Sequence, residues 1–268
     1  MSSLSKSGAA FMEGTESGRI DGAQMSAHAS LLPILLIVFL ATLVRSTFGF
    51  GDALIGMPLL ALVTSLRVAI PLMAFVGPTI AIGLLAREWR RIDWKSAVGL
   101  IISTLAGIPF GIFLLKRVDE NIVNLALAAV IIAFSLYSLI KPGLLRLTSD
   151  RPAVLFGFLA GILGAAYNTN GPPVILYGAL RGWKPESFRA TLQGYFLPTG
   201  GAILIGQGLA GMWTRTVVTT YLYALPLIAL GVVAGLALGR KIPANRFNRF
   251  IYGMLLVLGI VLLIKSIS

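Results

Sequence analysis

The sequence STFGFGD, residues 46–52, interrupts an apolar stretch that runs from residue 31 to residue 65. A second polar and proline-rich sequence, NTNGPP at 168–173, interrupts the apolar stretch 152–180 in the same way. Both stretches are long enough to enter a lipid bilayer. Neither is one plain helix, because clustered glycines and consecutive prolines break helices. We therefore predict two broken helical segments at membrane depth.

The composition places most of the remaining chain in the bilayer as well. Of the 268 residues, 57% are hydrophobic and 12% are charged, whereas a soluble domain has about 25% charged residues. Uncharged stretches of membrane-spanning length recur after the first break, at 68–86, 96–115, 121–140, 190–214, 216–239 and 250–264. Residues 1–30 are rich in Ser, Gly and Ala without periodicity, and we predict that they form a mobile tail. The predicted fold class is an all-α polytopic membrane protein.

The two halves of the chain repeat each other. The breaks occupy corresponding positions, and polar, glycine and proline residues agree in order along both halves. The matches are 39–41 with 158–160, Pro78-Thr79 with Pro198-Thr199, Gly107 and Gly111 with Gly231 and Gly235, and 116–118 with 240–242. We predict a first transmembrane repeat at 31–145 and a second at 146–268, each a broken helical hairpin followed by three transmembrane helices.

The basic residues between the spans indicate how the two halves are oriented. Each broken stretch can form a hairpin that returns to the side from which it entered, or it can cross the membrane twice. In both cases each half crosses the membrane an odd number of times, and the second half is inverted relative to the first. One side then holds fourteen basic residues: Arg87, Arg90, Arg91, Lys95, Lys141, Arg146, Arg151, Arg181, Lys184, Arg189, Arg240, Lys241, Arg246 and Arg249. The other side holds five outside the tail: Arg67, Lys116, Arg117, Arg215 and Lys265. Single uninterrupted helices would instead divide these charges almost evenly.

Basic loops near membrane ends stay in the cytoplasm. The uneven distribution therefore predicts two inverted repeats in the plasma (inner) membrane, with both termini on the non-cytoplasmic side. A reporter enzyme that works only outside the cytoplasm is expected to be active when it is fused to the C-terminus. Activity of a cytoplasm-specific reporter at the same position would refute the inverted arrangement.

The broken segments are the predicted binding site. Backbone that is not helical at membrane depth persists where it lines a cavity, and paired breaks in inverted repeats are typical of a transporter's substrate site. Simple kinking by Gly and Pro is the alternative. The second arm of each break begins a helix, near Ala53 and near 172–173, and helix N-termini attract anions. The predicted ligand is a small anion.

Polar side chains in and near the breaks are the candidate contacts. Neutral hydrogen bonds are predicted from Thr47, Asn168, Thr169 and Asn170. Arg45 supplies a full charge, unless it pairs with Asp52 or extends to the membrane interface. Gln193 either faces the cavity or makes a polar contact between helices.

Asp52 is the single acid within an apolar stretch and is therefore a functional candidate. Two uses compete: it carries a proton that is coupled to anion movement, or it neutralises Arg45 and holds the hairpin closed. The sequence GFGD at 49–52 also matches an intramembrane aspartyl protease signature, but that chemistry needs two carboxylates in one site. No second acid lies within a predicted span, so the protease is the weaker alternative.

Several other function classes have no residues to support them. The chain has no Cys, and its single His, His28, lies in the tail, so no metal site, cofactor or nucleophilic enzyme is predicted. The net charge of +12 is spread over short loops beside apolar spans, which is typical of membrane proteins and not of nucleic-acid binding. The chain also lacks an ATP-binding loop sequence. A passive anion channel would use the same residues and stays an alternative.

Together with the duplicated halves, two motifs make the chain resemble the sulfite exporter TauE/SafE family. The first is FGFGD at 48–52 followed by MPLL at 57–60, and the second is NGPPVILY at 170–177 followed by FRAT at 188–191. The resemblance covers residues 31–268 and implies a secondary transporter, often a proton-driven exporter, of small sulfur-containing or carboxylate anions. Its motifs place the implied site at Gly49, Gly51, Asn168, Asn170, Gly171 and Pro172.

The chain departs from this family at two places in the site. Many relatives have a run of glycines where this chain has Gly51-Asp52, and a glycine where it has Asn168 or Asn170. An acid beside an anion site alters the substrate, the coupling or both. The expectation is alternating-access export of a small anion such as sulfite, sulfoacetate or a related organosulfonate, coupled to protons.

Overall fold

The computed structural model describes residues 31–117, 120–140, 147, 149–181, 183 and 185–239, with short groups of residues between 253 and 266. This part of the chain is helical and contains no strand, which confirms the predicted all-α class. Its helices are α1 (Leu31–Phe48), α2 (Asp52–Val63), α3 (Leu66–Glu88), α4 (Trp94–Arg117), α5 (Glu120–Ile140), α6 (Ala153–Tyr167), α7 (Gly171–Arg181), α8 (Pro185–Leu209) and α9 (Arg215–Gly239). The predicted tail, residue 145 and residue 146 at the boundary between the repeats, and part of the last predicted span lie outside the described residues.

Four of these helices are long and apolar enough to cross a membrane. They are α1, α3 over Leu66–Ala86, α4 over Ala97–Leu115, and α9. By contrast, α2, α6 and α7 have 12, 15 and 11 residues, and about 20 are needed to cross the hydrocarbon core. These three short helices adjoin the two predicted interruptions.

Helix α8 is displaced from its predicted span. It begins at Pro185 and ends at Leu209, whereas the apolar stretch suggests 190–214. The chain turns after Leu209 because Gly211 has a φ of 78°, a left-handed value that ends the helix. The Met212 N–H then donates to the Gln207 carbonyl at 3.0 Å. Apolarity continues through this turn, so hydropathy alone does not locate the helix end.

The first predicted interruption is a break between α1 and α2. Gly49 has a φ of 89° and Gly51 a φ of 102°, both in the left-handed region that suits glycine. The Gly49 N–H still donates to the Arg45 carbonyl at 2.6 Å, and the Ile55 N–H donates to the Gly51 carbonyl at 3.1 Å. The second helix therefore begins at Asp52, one residue before the predicted start.

The second interruption is a break between α6 and α7. Asn168 follows the last residue of α6 and has a φ of 54°, a left-handed value that Asn tolerates better than most residues. Its N–H donates to the Gly164 carbonyl at 2.8 Å, and the Thr169 N–H donates to the Leu163 carbonyl at 3.2 Å. Helix α7 then begins at Gly171, directly before the two prolines.

Glycines join the two halves where α4 packs on α6. A Cβ placed on Gly107 would overlap the Phe158 carbonyl oxygen, and one on Gly111 would overlap the carbonyl oxygen of Ile162. A Cβ on Gly161 of α6 would overlap the Thr104 carbonyl oxygen in return. The two backbones are therefore in direct contact, which only residues without a side chain allow.

A second contact of the same kind lies between α9 and α1. A Cβ on Gly235 would lie 2.7 Å from the Leu43 carbonyl oxygen, and one on Gly231 would lie 3.4 Å from that of Phe39. These residues correspond to those of the first contact in the sequence repeat: Gly231 to Gly107, Gly235 to Gly111, and Phe39 to Phe158. The glycines of α4 in the first half thus pack on α6 of the second half, and those of α9 in the second half pack on α1 of the first. The two contacts are therefore reciprocal.

Helices α3 and α8 follow the two breaks and pack against each other in the interior. A Cβ on Gly200 would lie 3.1 Å from the Pro78 Cγ, so the two helices meet near their internal prolines. The large residues Leu72 and Ile80 of α3 and Leu192 and Tyr195 of α8 are fully buried. This packing accompanies the meeting of the two breaks at one cavity.

Candidate functional site

Both helix breaks meet at a single cavity. From the first break it is lined by 50–54, and from the second by 168–172. Helices α3, α7 and α8 complete the wall, through Met73, Ala74, Pro78, Ile175, Phe196, Gly200 and Ile203, with Arg45 from α1. The cavity has a volume of about 40 Å³, which is room for roughly three water molecules or one small oxyanion.

Arg45 is the cation of this cavity. It is 4% exposed, and its Nη1 forms an ion pair with the Oδ2 of Asp52 at 2.7 Å. Its guanidinium carbon lies 4.7 Å from the ring centroid of Phe196, within the range of a cation–π contact. Its Nε makes no hydrogen bond to the described protein. Because a guanidinium has five N–H donors, Arg45 keeps donors for a further acceptor.

Gln193 positions Arg45 from the far half of the chain. Its Oε1 accepts a hydrogen bond from the Nη2 of Arg45 at 3.0 Å, and its Nε2 donates to the Gly49 carbonyl. Both ends of the amide are thereby used, and Gln193 is buried. Gln193 therefore connects α8 to the last part of α1 and to the start of the first break.

Asp52 lies in the first turn of α2, with its side chain 12% exposed. Among the described acidic residues it is the one that lines the cavity. The first N–H groups of a helix lack acceptors within the helix, and α2 has no side-chain cap. Asp52, Ala53 and Leu54 therefore offer backbone donors at the cavity wall. In α7, Pro172 and Pro173 have no N–H, so that helix start offers fewer.

The second break adds neutral polar groups. Asn168 donates from its Nδ2 to the Ile70 carbonyl of α3, which ties the break to the first half. The Nδ2 of Asn170 lies 3.5 Å from the Thr199 Oγ1, which is a long and therefore weak contact, and its side chain also interacts with Tyr195. Thr169 is buried, and its Oγ1 donates to the Tyr167 carbonyl at 3.3 Å.

The structure brings together most of the residues that the sequence suggests for the site. Those that line the cavity are Arg45, Gly51, Asp52, Asn168, Thr169, Asn170, Gly171 and Pro172. Thr47, Gly49 and Gln193 are not among the lining residues. Thr47 instead donates to the Leu43 carbonyl at 2.7 Å and the Gly235 carbonyl at 3.3 Å, at the contact between α1 and α9. The carbonyl of Gly49 accepts a hydrogen bond from Gln193, so Gly49 supports the site without lining the cavity.

Sequence reasoning missed the apolar wall of the cavity. Phe196 gives no local signal, because any apolar residue of a span is equally suited to lipid. Phe50 and Ile175 lie within the two motifs, but nothing in the sequence distinguishes them from their apolar neighbours there. Pro78 carries a weak sequence signal, because Pro78-Thr79 repeats as Pro198-Thr199 in the second half. In the structure Pro78 contacts Gly200, two residues after Pro198. The wall forms only when α3 and α8 pack together.

The family described as sulfite exporter TauE/SafE has a model that matches residues 34–262 of the chain. A protein of Cupriavidus necator described as a probable sulfite/organosulfonate exporter TauE is 24% identical over 250 residues. That similarity covers 89% of this chain and 96% of the relative. No solved structure matches the chain.

Proposed function

Because the chain belongs to the sulfite exporter TauE/SafE family, we propose that it is a secondary transporter that exports sulfite or a related organosulfonate such as sulfoacetate. The family consists of transporters and not of enzymes, and the chain is a multi-pass membrane protein. The proposal places it in the inner membrane with both termini outside the cytoplasm. It is also proposed to work by alternating access and to couple transport to protons.

The observation that carries the proposal is the meeting of two helix breaks at a buried arginine. A sulfite or sulfonate group presents several oxygen acceptors within a small volume. Arg45 supplies charged donors, α2 supplies backbone donors, and Asn170 supplies an amide from the second break. Charge-assisted hydrogen bonds of this kind are about twice as strong as neutral ones. The apolar wall formed by Phe196 and its neighbours suits the short organic part of an organosulfonate.

Alternating access fits the division of the site between two parts of the chain. Arg45 and Asp52 belong to the first break, whereas the amides belong to the second, and each break belongs to a different repeat. The reciprocal glycine contacts hold α4 on α6 and α9 on α1 too closely for sliding. The two parts therefore move relative to each other at the contact between α3 and α8, where Pro78 meets Gly200. This movement opens the cavity to one side of the membrane at a time.

An anion panel tests the site on the purified full-length protein. Sulfite, sulfoacetate and methanesulfonate are expected to raise the unfolding temperature in a saturable way, because a ligand that binds the folded state stabilises it. Asn170→Ala removes one hydrogen bond to a charged group, worth about 1.5–3 kcal/mol, and weakens the apparent affinity by about tenfold or more.

Thr219→Ala provides the matched control, since Thr219 is exposed and donates only to carbonyls of its own helix. This variant is expected to match the unaltered protein in both stability and anion response. If none of these anions stabilises the unaltered protein, the anion site is wrong. If Asn170→Ala responds like Thr219→Ala, the second break is not part of it.

A further inference from the structure

Arg45 and Asp52 cancel each other's charge within the cavity. Among the described residues they are the charged groups that line it. The other lining residues, contributed by α3, by the second break with α7, and by α8, are uncharged. The nearest further cation from α8 is Arg189, which packs against Gly49 and donates to the Ser46 carbonyl at 3.4 Å, outside the cavity wall. The unloaded site is thus neutral, although its proposed ligand is an anion.

Asp52 also holds one of the donors of Arg45 and lies beside those that remain. Its Oδ2 lies 2.7 Å from the Nη1 of Arg45, so an oxyanion that binds the same guanidinium would lie close to the carboxylate. If Asp52 stayed ionised, an incoming anion would put two negative charges beside one guanidinium in a buried space. Like charges at such distances repel strongly when water is excluded, and desolvating an unpaired carboxylate adds a further cost.

We infer that Asp52 is a tethered competitor of the transported anion, and that the anion binds together with one proton. This inference rests on the proposed function and gives the sign of its proton coupling. A proton from water adds to the carboxylate of Asp52, and the ion pair with Arg45 opens. An oxygen of the anion then accepts the hydrogen bond from Nη1, while Nη2 stays on Gln193. Release reverses these steps and returns the proton to water.

The loaded site therefore carries one negative charge fewer than the free anion. A monovalent sulfonate moves with its proton as a neutral pair, and a divalent anion moves with a single net charge. The site consequently favours monovalent sulfonates and hydrogen sulfite over divalent sulfate of similar size. Proton and anion travel in the same direction, so the coupling is a symport and not an exchange. Export then runs down the concentration gradient of the anion and, unlike the proton-driven export that the family resemblance implies, is not driven by an inward proton gradient.

Methanesulfonate is the probe, because it stays ionised over the pH range of the experiment. Its affinity for the purified full-length protein is expected to rise about tenfold for each pH unit lowered, across the interval in which one proton is taken up on binding. Asp52→Asn mimics the protonated carboxyl and should bind tightly and without pH dependence. Asp150→Asn is the matched control, because Asp150 pairs with Arg181 away from the cavity, and it should keep the pH slope.

A second measurement does not depend on any variant. Binding heats in two buffers of different ionisation enthalpy give the number of protons taken up with methanesulfonate, which is expected to be about one per anion. Binding without proton uptake and with equal affinity at every pH would overturn the inference and leave the anion site intact. Tighter binding at higher pH would overturn it as well. Absence of binding at every pH would overturn the proposed function itself.

Discussion

Arg45→Met is expected to destabilise the protein by about 3–5 kcal/mol, the usual cost of removing one partner of a buried ion pair. The change leaves the carboxylate of Asp52 buried without its cation, and Gln193 loses the donor on its Oε1. Anion binding is expected to disappear at the same time. Thermal unfolding in detergent, followed with and without sulfite, measures both effects.

The double variant Arg45→Met with Asp52→Asn separates folding from binding. Replacing a buried ion pair by uncharged residues of similar size is often neutral or stabilising, so most of the lost stability is expected to return. Anion binding is not expected to return, because the cation is still absent. A double variant that binds sulfite as well as the unaltered protein does would contradict the role of Arg45.

Arg181→Met is the control for an ion pair with the same N–O distance in a different environment. Arg181 and Asp150 are also 2.7 Å apart, but their side chains are 21% and 53% exposed. Partly exposed pairs contribute about 1 kcal/mol or less. This variant should therefore lose little stability and keep its anion response.

Gly161→Ala is expected to reduce stability by about 3 kcal/mol, at the upper end of what overpacking costs. Its Cβ would overlap the Thr104 carbonyl oxygen and lie 2.9 Å from the Cα of Gly107. Neither group can yield without separating α4 from α6. Gly235→Ala at the reciprocal contact should behave in the same way, because its Cβ would lie 2.5 Å from the Ser46 Cβ.

Gly201→Ala is the control for this prediction. It has no atom within 4 Å of its Cβ position, so the added methyl group meets open space, and alanine favours a helix over glycine by about 1 kcal/mol. Thermal unfolding of the three variants is the measurement. If Gly161→Ala were as stable as Gly201→Ala, the tight packing of the two halves would be refuted.

The sequence was sufficient to locate the breaks and most of the cavity lining. Glycines with left-handed φ and consecutive prolines are local signals, and they predict the starts of α2 and α7 to within one residue. Arg45 and Asp52 stand out because charged residues are rare in apolar spans. The all-helical class follows from the length and hydropathy of those spans.

Other parts of the site depend on tertiary contacts that no local pattern records. Gln193 lies 148 residues from Arg45, and it appears in the sequence only as one polar residue in a span. Thr47 is as polar as Thr169, yet the packing of α9 on α1 turns it away from the cavity. The inverted orientation of the halves stays a prediction from the loop charges. The order of helices is the same whether the repeats are parallel or inverted.

Counterflow of sulfite in proteoliposomes tests the central claim most directly. With unlabelled sulfite inside, the unaltered protein is expected to accumulate labelled sulfite transiently and at a saturable rate. The folded double variant Arg45→Met with Asp52→Asn should show none. Flux through the unaltered protein that rises linearly with sulfite and lacks counterflow would indicate a channel. Equal counterflow by the double variant would contradict transport through the cavity where the two breaks meet.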